Sequence, residues 1–404
     1  MKILFLTLLD INDFNEKNIY TDVLREFIDR NHNVTIVSPT ERRNWKKRKT
    51  NNVNGDIIKV KIGNITKTNI VEKGITTLMI DKLYLRAIKK LDNIKFDVVI
   101  YSTPPITFTK TINYLKKKDN LITYLLLKDI FPQNAVDLEM MKKNSIIYKY
   151  FRKKEKKLYE ISDCIGCMSQ RNMDYILKNN KLPNLINKVH ISPNSTKIEK
   201  NNEKINIEII RERYNLPVDK TIFVYGGNIG KPQGINFFLE CLKKINSDNK
   251  NAFFVVIGSG TEFERVKQFA SENNLSNLKI IDNLPVKEFS NILLAMDVGL
   301  ILLDCRFTIP NFPSRLLSYL QAELPILSAT DLNTDIGEIC ENNGFGIKVS
   351  SNNHDAFIRA VDSYTNMEDN QKIEMRKKAY CYLEKNYSSS ISYKIITNEI
   401  EKAR

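Results

Sequence analysis

Thr221-Ile222-Phe223-Val224-Tyr225-Gly226-Gly227-Asn228-Ile229-Gly230-Lys231-Pro232-Gln233-Gly234 runs from an unbroken apolar segment into a nest of glycines. Four glycines fall within nine residues, in a chain with 14 glycines in 404. That total is about half the usual ~7%. The apolar run reads as a strand, and the pattern of Ile235, Phe238, Leu239, Leu242 and Ile245 reads as an amphipathic helix. Such a turn brings backbone N–H groups to a helix N-terminus, where they can meet an anion, and Lys231 adds a charge. No Gly-Lys-Ser/Thr follows, so this is not a Walker loop, and the spacing is not a strict dinucleotide fingerprint. A tight turn without a ligand is the alternative.

Two further turns have the same character. Ile257-Gly258-Ser259-Gly260 closes the next apolar strand. Asn311-Phe312-Pro313-Ser314-Arg315-Leu316-Leu317-Ser318-Tyr319-Leu320 follows the strand that ends at Leu303. Pro313 suits a first helical turn, and Ser314 with free N–H groups can meet a phosphate. Arg315 on that turn opposes the helix dipole unless an anion compensates it. A plain surface arginine is the other reading.

Outward from these turns, apolar strands alternate with helical patterns in two series. The first covers Lys2–Thr7, Val34–Ser38 (stopped by Pro39), Ile57–Ile62, Asp97–Ser102, Leu121–Leu127 and Cys164–Met168. A polar stretch, Ser192–Lys204, reads as the linker. The second covers Thr221–Tyr225, Phe253–Ile257, Leu278–Ile281, Val298–Leu303, Pro325–Ser328 and Phe345–Val349. Strands apolar on both faces, separated by helices, predict parallel sheets between helical layers. The expected fold class is therefore α/β, with two doubly wound domains facing a cleft. Residues 1–190 form one domain and 191–375 the other, and 376–404 are helices that pack back on the first. Ligands in such sheets bind beyond the carboxyl ends of the strands.

Composition narrows the function. An apolar share of 42% over 404 residues supplies two cores and excludes disorder. No apolar window is long enough for a transmembrane helix, and the first residues do not read as a signal peptide. Six cysteines are too few for a disulfide framework. These readings place the chain in the cytoplasm. The net charge of +15 is unevenly spread: residues 1–190 carry +16 and residues 191–404 carry −1. Codon bias would affect both halves, so the first half is expected to face something anionic.

The motifs resemble glycosyltransferase family 4, of the GT-B fold with two Rossmann-like domains. Gly-Asn-Ile-Gly-Lys-x-Gln-Gly from Gly227, and Pro-Ser-Arg-Leu-Leu-x-Tyr-Leu-x-Ala-x-x-Pro-Ile-Leu from Pro313, are similar to that family's pattern. So are Asn31–Val37, Ser192-Pro193-Asn194 and, most specifically, Lys128-Asp129-Ile130-Phe131-Pro132-Gln133-Asn134-Ala135-Val136-Asp137. Within the family the chain looks like bacterial amino-sugar transferases of O-antigen and capsule assembly. The resemblance implies a retaining, metal-independent hexosyl transfer from a nucleotide-diphosphate sugar, with no cofactor besides the donor. It places the donor at Gly227, Asn228, Gly230, Lys231, Gly258, Ser259, Ser314, Arg315 and Ser318. It makes Asp129 the base or hydroxyl-orienting group beside the acceptor, although an Asp that merely caps the following turn fits the same residues. The acceptor is expected to be a polyprenyl-diphosphate-linked glycan at the inner leaflet. Three basic, partly aromatic segments (42–49, 81–91 and 148–157) would hold the protein on that anionic surface, with Trp45 at the interface.

Some residues depart from the family. Its Glu-(seven residues)-Glu pair falls on Pro310 and Ser318, so both carboxylates are missing. Asn228 and Gln233 replace frequent basic residues, and Glu323 replaces a small one. A non-catalytic subunit therefore stays open as an alternative, as does a sugar-nucleotide 2-epimerase on the same scaffold, although such enzymes need acid/base carboxylates and histidines in which this chain is poor. A nucleic-acid-binding protein lacks any recognised module or regular aromatic spacing. Cys164-Ile165-Gly166-Cys167 has redox spacing but lies in an apolar strand, and His32, His190 and His354 are too few for a His-rich metal site. His32 is expected to pack at a strand start.

Overall fold

A computed structural model describes residues 1–46, 57–66, 68–199 and 206–404. The chain divides into two compact units, Met1–Lys197 with Ser389–Arg404, and Ile198–Ser388. Each is built on one parallel sheet, so the α/β class read from the sequence holds for both.

In unit 1 the strands are β1 (Lys2–Leu6), β2 (Asn33–Glu41), β3 (Ile57–Ile62), β4 (Val98–Ser102), β5 (Ile122–Leu127), β6 (Cys164–Cys167) and β7 (Val189–Ile191). Their order is β3-β2-β1-β4-β5-β6-β7. Central strands such as β4 are buried at every position, which is why they read as unbroken apolar runs. Pro39 does not stop β2. It pairs with Val60 of β3, and the strand continues to Glu41. The Thr7 N–H donates to the Val37 carbonyl at 3.3 Å, so residues 37 and 39 both face the β1 side. β1 ends before Pro39, and the missing proline N–H costs no ladder bond.

Unit 2 holds β8 (Thr221–Asn228), β9 (Ala252–Ser259), β10 (Leu278–Ile281), β11 (Val298–Leu302), β12 (Ile326–Thr330) and β13 (Gly346–Ser350), in the order β10-β9-β8-β11-β12-β13. Its core stacks Phe223 on Phe254 at 5.1 Å, with Phe238, Phe357 and Tyr364 around them. The order reverses between β8 and β11, the switch point at which such sheets take ligands.

The breaks between units lie at 197/198 and 388/389, where the sequence suggested 190/191 and 375/376. Ser192–Thr196 is buried rather than a free linker. The Asp22 carboxylate holds it, accepting from the Thr196 hydroxyl at 2.9 Å and the Lys197 N–H at 3.1 Å. Residues 200–204 of the expected linker lie outside the described residues. The helix Asp369–Asn386 is uninterrupted and stays in unit 2, where Tyr382 packs on Phe345 at 5.0 Å. Only the last helix, Ser389–Lys402, belongs to unit 1. There Tyr393 meets Phe27 edge-on at 4.7 Å under the Arg30 guanidinium, and Ile396 and Ile400 enter the core. His32 packs against Phe27 at the start of β2, with its ring nitrogens 3.0 Å from the Met1 amine and 3.1 Å from the Tyr393 hydroxyl.

Candidate functional site

In unit 2 the glycine turn is shaped first by backbone crossing backbone. Gly227 pairs with Gly258, and Asn228 with Ser259, where β8 and β9 end together. A Cβ on Gly258, whose φ is +148°, would lie 1.9 Å from the Gly227 carbonyl oxygen. No side chain fits there. The Ile229 N–H then donates to the Ser259 carbonyl, and the Glu262 N–H to the Ile229 carbonyl, both at 2.9 Å. Gln233 is not a lost cation but a brace: its buried side-chain oxygen accepts the Gly230 N–H at 3.0 Å. The Asp304 N–H donates to the Pro232 carbonyl at 2.9 Å, which ties the turn to the exit of β11 across the switch point.

Gly227 is different. Its φ is +114°, yet the nearest atoms to an added Cβ are those of the Arg315 guanidinium, at 3.9 Å. Close packing does not demand a glycine here, and the left-handed φ does. Arg315 opens the helix Arg315–Gln321, and Pro313 precedes the first turn rather than lying in it as the sequence suggested. Its guanidinium lies 4.2 Å over the Tyr225 ring. The Nη1 atom is buried and has no hydrogen-bond partner among the described residues. Tyr319, one helical turn on, is buried and accepts the Gly226 N–H at 2.8 Å, so the same helix braces the turn and aims the arginine at it. Burial raises the pKa of both tyrosines, which stay neutral.

Of the nine expected donor residues, Gly227, Asn228, Gly258, Ser259 and Arg315 are thus brought to one place. Gly230 is buried in the turn, while Lys231, Ser314 and Ser318 are exposed beside these elements. Tyr225 and Tyr319 were missed. Tyr319 lies four residues from Arg315 on the same helix face, a spacing that could have revealed it. Asp304 was missed as well. Burial works against its charge, but bidentate hydrogen bonds from Arg306 at 2.9 Å hold its carboxyl below the usual range.

In unit 1 Asp129 is half-buried in the loop after β5. Both carboxylate oxygens accept from the Asn134 side-chain amide, at 2.8 and 2.9 Å. The Thr103 hydroxyl, beyond the end of β4, accepts from the Lys128 and Asp129 N–H groups at 2.9 and 3.1 Å. Gln133 donates to Asp137 at 2.8 Å, so much of the Phe-Pro-Gln block is braced by its own side chains. Burial pushes the Asp129 carboxyl up to about 6, against the lowering effect of the Ile130 N–H and Asn134. Such a carboxyl is poised to take a proton near neutral pH.

The basic segments of unit 1 are amphipathic as well as charged. The helix Ile146–Ile161 exposes Ile146 (88%), Ile147 (61%) and Tyr150 (41%) beside Lys149 and Lys153. The helix Ile70–Ile88 exposes Ile75, Leu78 and Met79. Trp45 is partly exposed, but its indole N–H donates to the Thr40 carbonyl at 3.0 Å and Lys61 sits 5.8 Å over its ring. Residues 47–49 of the most basic run lie outside the described residues. Among the described residues no helix is long and apolar enough to cross a membrane. Among the described residues no group of three or more His, Cys, Asp or Glu is arranged to hold a metal. Cys164 and Cys167 are buried free thiols, each pushed up to about 12 by burial, which makes them unreactive.

Comparison with known proteins gives these sites a context. The family model described as glycosyl transferases group 1 matches residues 206–382. The probable glycosyltransferase WbjE of Pseudomonas aeruginosa is 28% identical over 301 residues, 73% of this chain and 72% of that protein. The putative colanic acid biosynthesis glycosyl transferase WcaI of Escherichia coli is 22% identical over 163 residues, 38% of each chain. The sucrose-phosphate synthase structure from Thermosynechococcus elongatus superposes with a TM-score of 0.75 at 12% identity, covering 100% of this chain and 99% of the other. Anabaena Alr3699/HepE in complex with UDP superposes at 0.68 with 12% identity over 100% of both chains. The resemblance read from the motifs is borne out: this chain has the GT-B fold, and residues 206–382, within unit 2, match the glycosyl transferases group 1 family model.

Proposed function

We propose that the protein is a retaining glycosyltransferase that moves a hexosyl group, without a metal, from a nucleotide-diphosphate sugar to a lipid-linked glycan in bacterial surface polysaccharide synthesis. The observation that carries the reading is the buried, unpartnered Nη1 of Arg315, stacked on Tyr225 and aimed at the Gly227 turn. When the bond from the anomeric carbon to the diphosphate breaks, negative charge grows on the leaving phosphate. A fixed guanidinium and preorganised N–H groups stabilise that charge. Asp129 receives the proton of the attacking hydroxyl as the new glycosidic bond forms. The UDP complex of HepE and the colanic acid role in the name of WcaI support this class of donor and pathway. The basic, apolar-studded helices of unit 1 fit peripheral attachment to the anionic cytoplasmic leaflet, where a polyprenyl-diphosphate acceptor resides.

The test is an incubation of the full chain with a panel of nucleotide sugars and lipid-linked acceptor, with products read by NMR. The expected result is a glycosylated acceptor with retained anomeric configuration. Interconversion of the sugar without transfer would identify an epimerase, and inversion at the anomeric carbon would refute the mechanism.

A further inference from the structure

Lys128 is not part of the carboxylate arrangement around Asp129. Its amine lines a separate cavity inside unit 1, walled by Phe5, Ile100, Leu126 and Ile396. The segment after β7 and the last helix bring Asn194, Ser195 and Ser392 to the same cavity. Asn194 is 7% exposed, Ser195 1% and Ser392 2%. Their Oδ1, Oγ and Oγ atoms have no hydrogen-bond partner among the described residues.

The polar atoms around this cavity share a bias. Lys128 Nζ donates only to the Ser192 carbonyl, at 3.3 Å, among the described residues. The hydroxyls of Ser192, Ser195 and Ser392, which all line the cavity, are free to donate, and the Asn194 amide presents its NH2 when turned about its last bond. No Asp or Glu lines the cavity. The nearby carboxylates are engaged elsewhere, Asp22 with Arg25, Thr196 and Lys197, and Glu26 with Arg30 and Ser389. A half-buried amine without a countercharge is disfavoured as a cation, and here desolvation lowers its pKa to about 7. Leaving polar atoms unpaired adds to that cost. A water could satisfy the hydroxyls but brings no countercharge.

We propose that Lys128, Asn194, Ser195 and Ser392 form a second anion pocket, distinct from the glycine turn, that takes an oxygen of a phosphate-type oxyanion. The cavity is about 20 Å³ and partly open. Since roughly 10–15 Å³ admits one water, it seats one phosphoryl oxygen and leaves the rest of the group at its mouth. The same chemistry suits free inorganic phosphate or the phosphoryl end of a lipid-linked molecule.

The experiment is calorimetric titration of the full-length Arg315→Ala protein, in which the glycine turn contributes least, with inorganic phosphate, inorganic diphosphate and a short-chain prenyl diphosphate. Saturable binding is expected, weakened roughly tenfold to a hundredfold by adding Lys128→Met. A several-fold loss is expected with Ser195→Ala, which keeps the charge and serves if Lys128→Met fails to fold. Lys128-dependent binding of the prenyl compound, displaced by phosphate, identifies the phosphoryl end of a lipid as the ligand. Binding of the inorganic ions alone identifies free phosphate. Only the prenyl arm rests on the proposed acceptor, and donor binding by the unmodified protein checks the transferase reading separately. Absence of saturable binding, or equal affinity in both cavity variants, would overturn the pocket and leave it a water site.

Discussion

The two units place their chemistry differently. In unit 2 the glycine turn is made of backbone, held because Gly258 leaves no room for a Cβ against Gly227, and the Arg315 guanidinium faces it with a donor that has no partner among the described residues. In unit 1 the Asp129 loop is made of side chains that brace one another, with the Asn134 Oδ1 buried and without a hydrogen-bond partner among the described residues. A site awaiting an anion needs rigid donors left unpaired. A carboxyl awaiting a proton needs burial and a partner that fixes its orientation without neutralising it. Charge follows the same division, since residues 1–190 carry +16 and residues 191–404 carry −1.

The sharpest way to break this comparison is Asp129→Asn. Turnover should fall about 10²- to 10⁴-fold, the usual worth of a general base, while donor KM changes little. The activity of the unmodified enzyme should rise as pH climbs through about 6, where Asp129 ionises, and the variant should lose that limb. The stability sign is the reverse. A carboxyl whose folded pKa lies above its unfolded value costs stability as pH rises from about 4 through 6. Asp129→Asn should therefore leave stability at pH 7 unchanged or higher in urea unfolding, and a large loss would make Asp129 structural.

Next in size is Gly258→Ala. Its Cβ meets the Gly227 carbonyl at 1.9 Å on a backbone of positive φ. Unit 2 should lose about 3 kcal/mol or more in denaturant unfolding. Gly227→Ala, with nothing nearer than 3.9 Å, should lose clearly less. Equal losses would contradict the claim that backbone crossing shapes the turn.

Membrane attachment tests the charge division. The protein should co-sediment with anionic but not neutral vesicles and be released by about 0.5 M salt, because each Lys or Arg near such a surface contributes about 1 kcal/mol within a Debye length. Lys149→Glu with Lys153→Glu should weaken sedimentation about tenfold or more and spare nucleotide binding. Equal binding to neutral vesicles would remove the electrostatic anchor.

The smallest effect concerns Glu323, which has φ +58° at the end of the helix Arg315–Gln321. That left-handed conformation suits glycine better than a residue with a Cβ. Glu323→Gly should raise stability by about 1 kcal/mol, as strain is relieved at a position glycine accepts freely. A loss would show that the carboxylate makes a compensating contact.

Much of the fold was legible because parallel strands buried on both faces leave long apolar runs, and scarce glycines mark their turns. β7 was missed because three residues, Val189–Ile191, carry too little pattern. Pro39 misled because its tolerance depends on where β1 ends, a tertiary fact. In the candidate site, Gly227 and Arg315 were readable from spacing. Tyr225, Thr103 and Asn134 were not, since each matters through a partner that only folding brings near.

The central claim is that Arg315 and the Gly227 turn bind a diphosphate. Calorimetric titration of nucleoside diphosphates into the unmodified protein, Arg315→Ala and Arg315→Lys tests it most directly. A charge-assisted phosphate contact is worth about 1.5–3 kcal/mol, so Arg315→Ala should lose roughly tenfold to a hundredfold in affinity. Arg315→Lys should recover only part, because an ammonium lacks the planar fork that stacks on Tyr225. Unchanged affinity in Arg315→Ala, with the fold intact, would contradict the account.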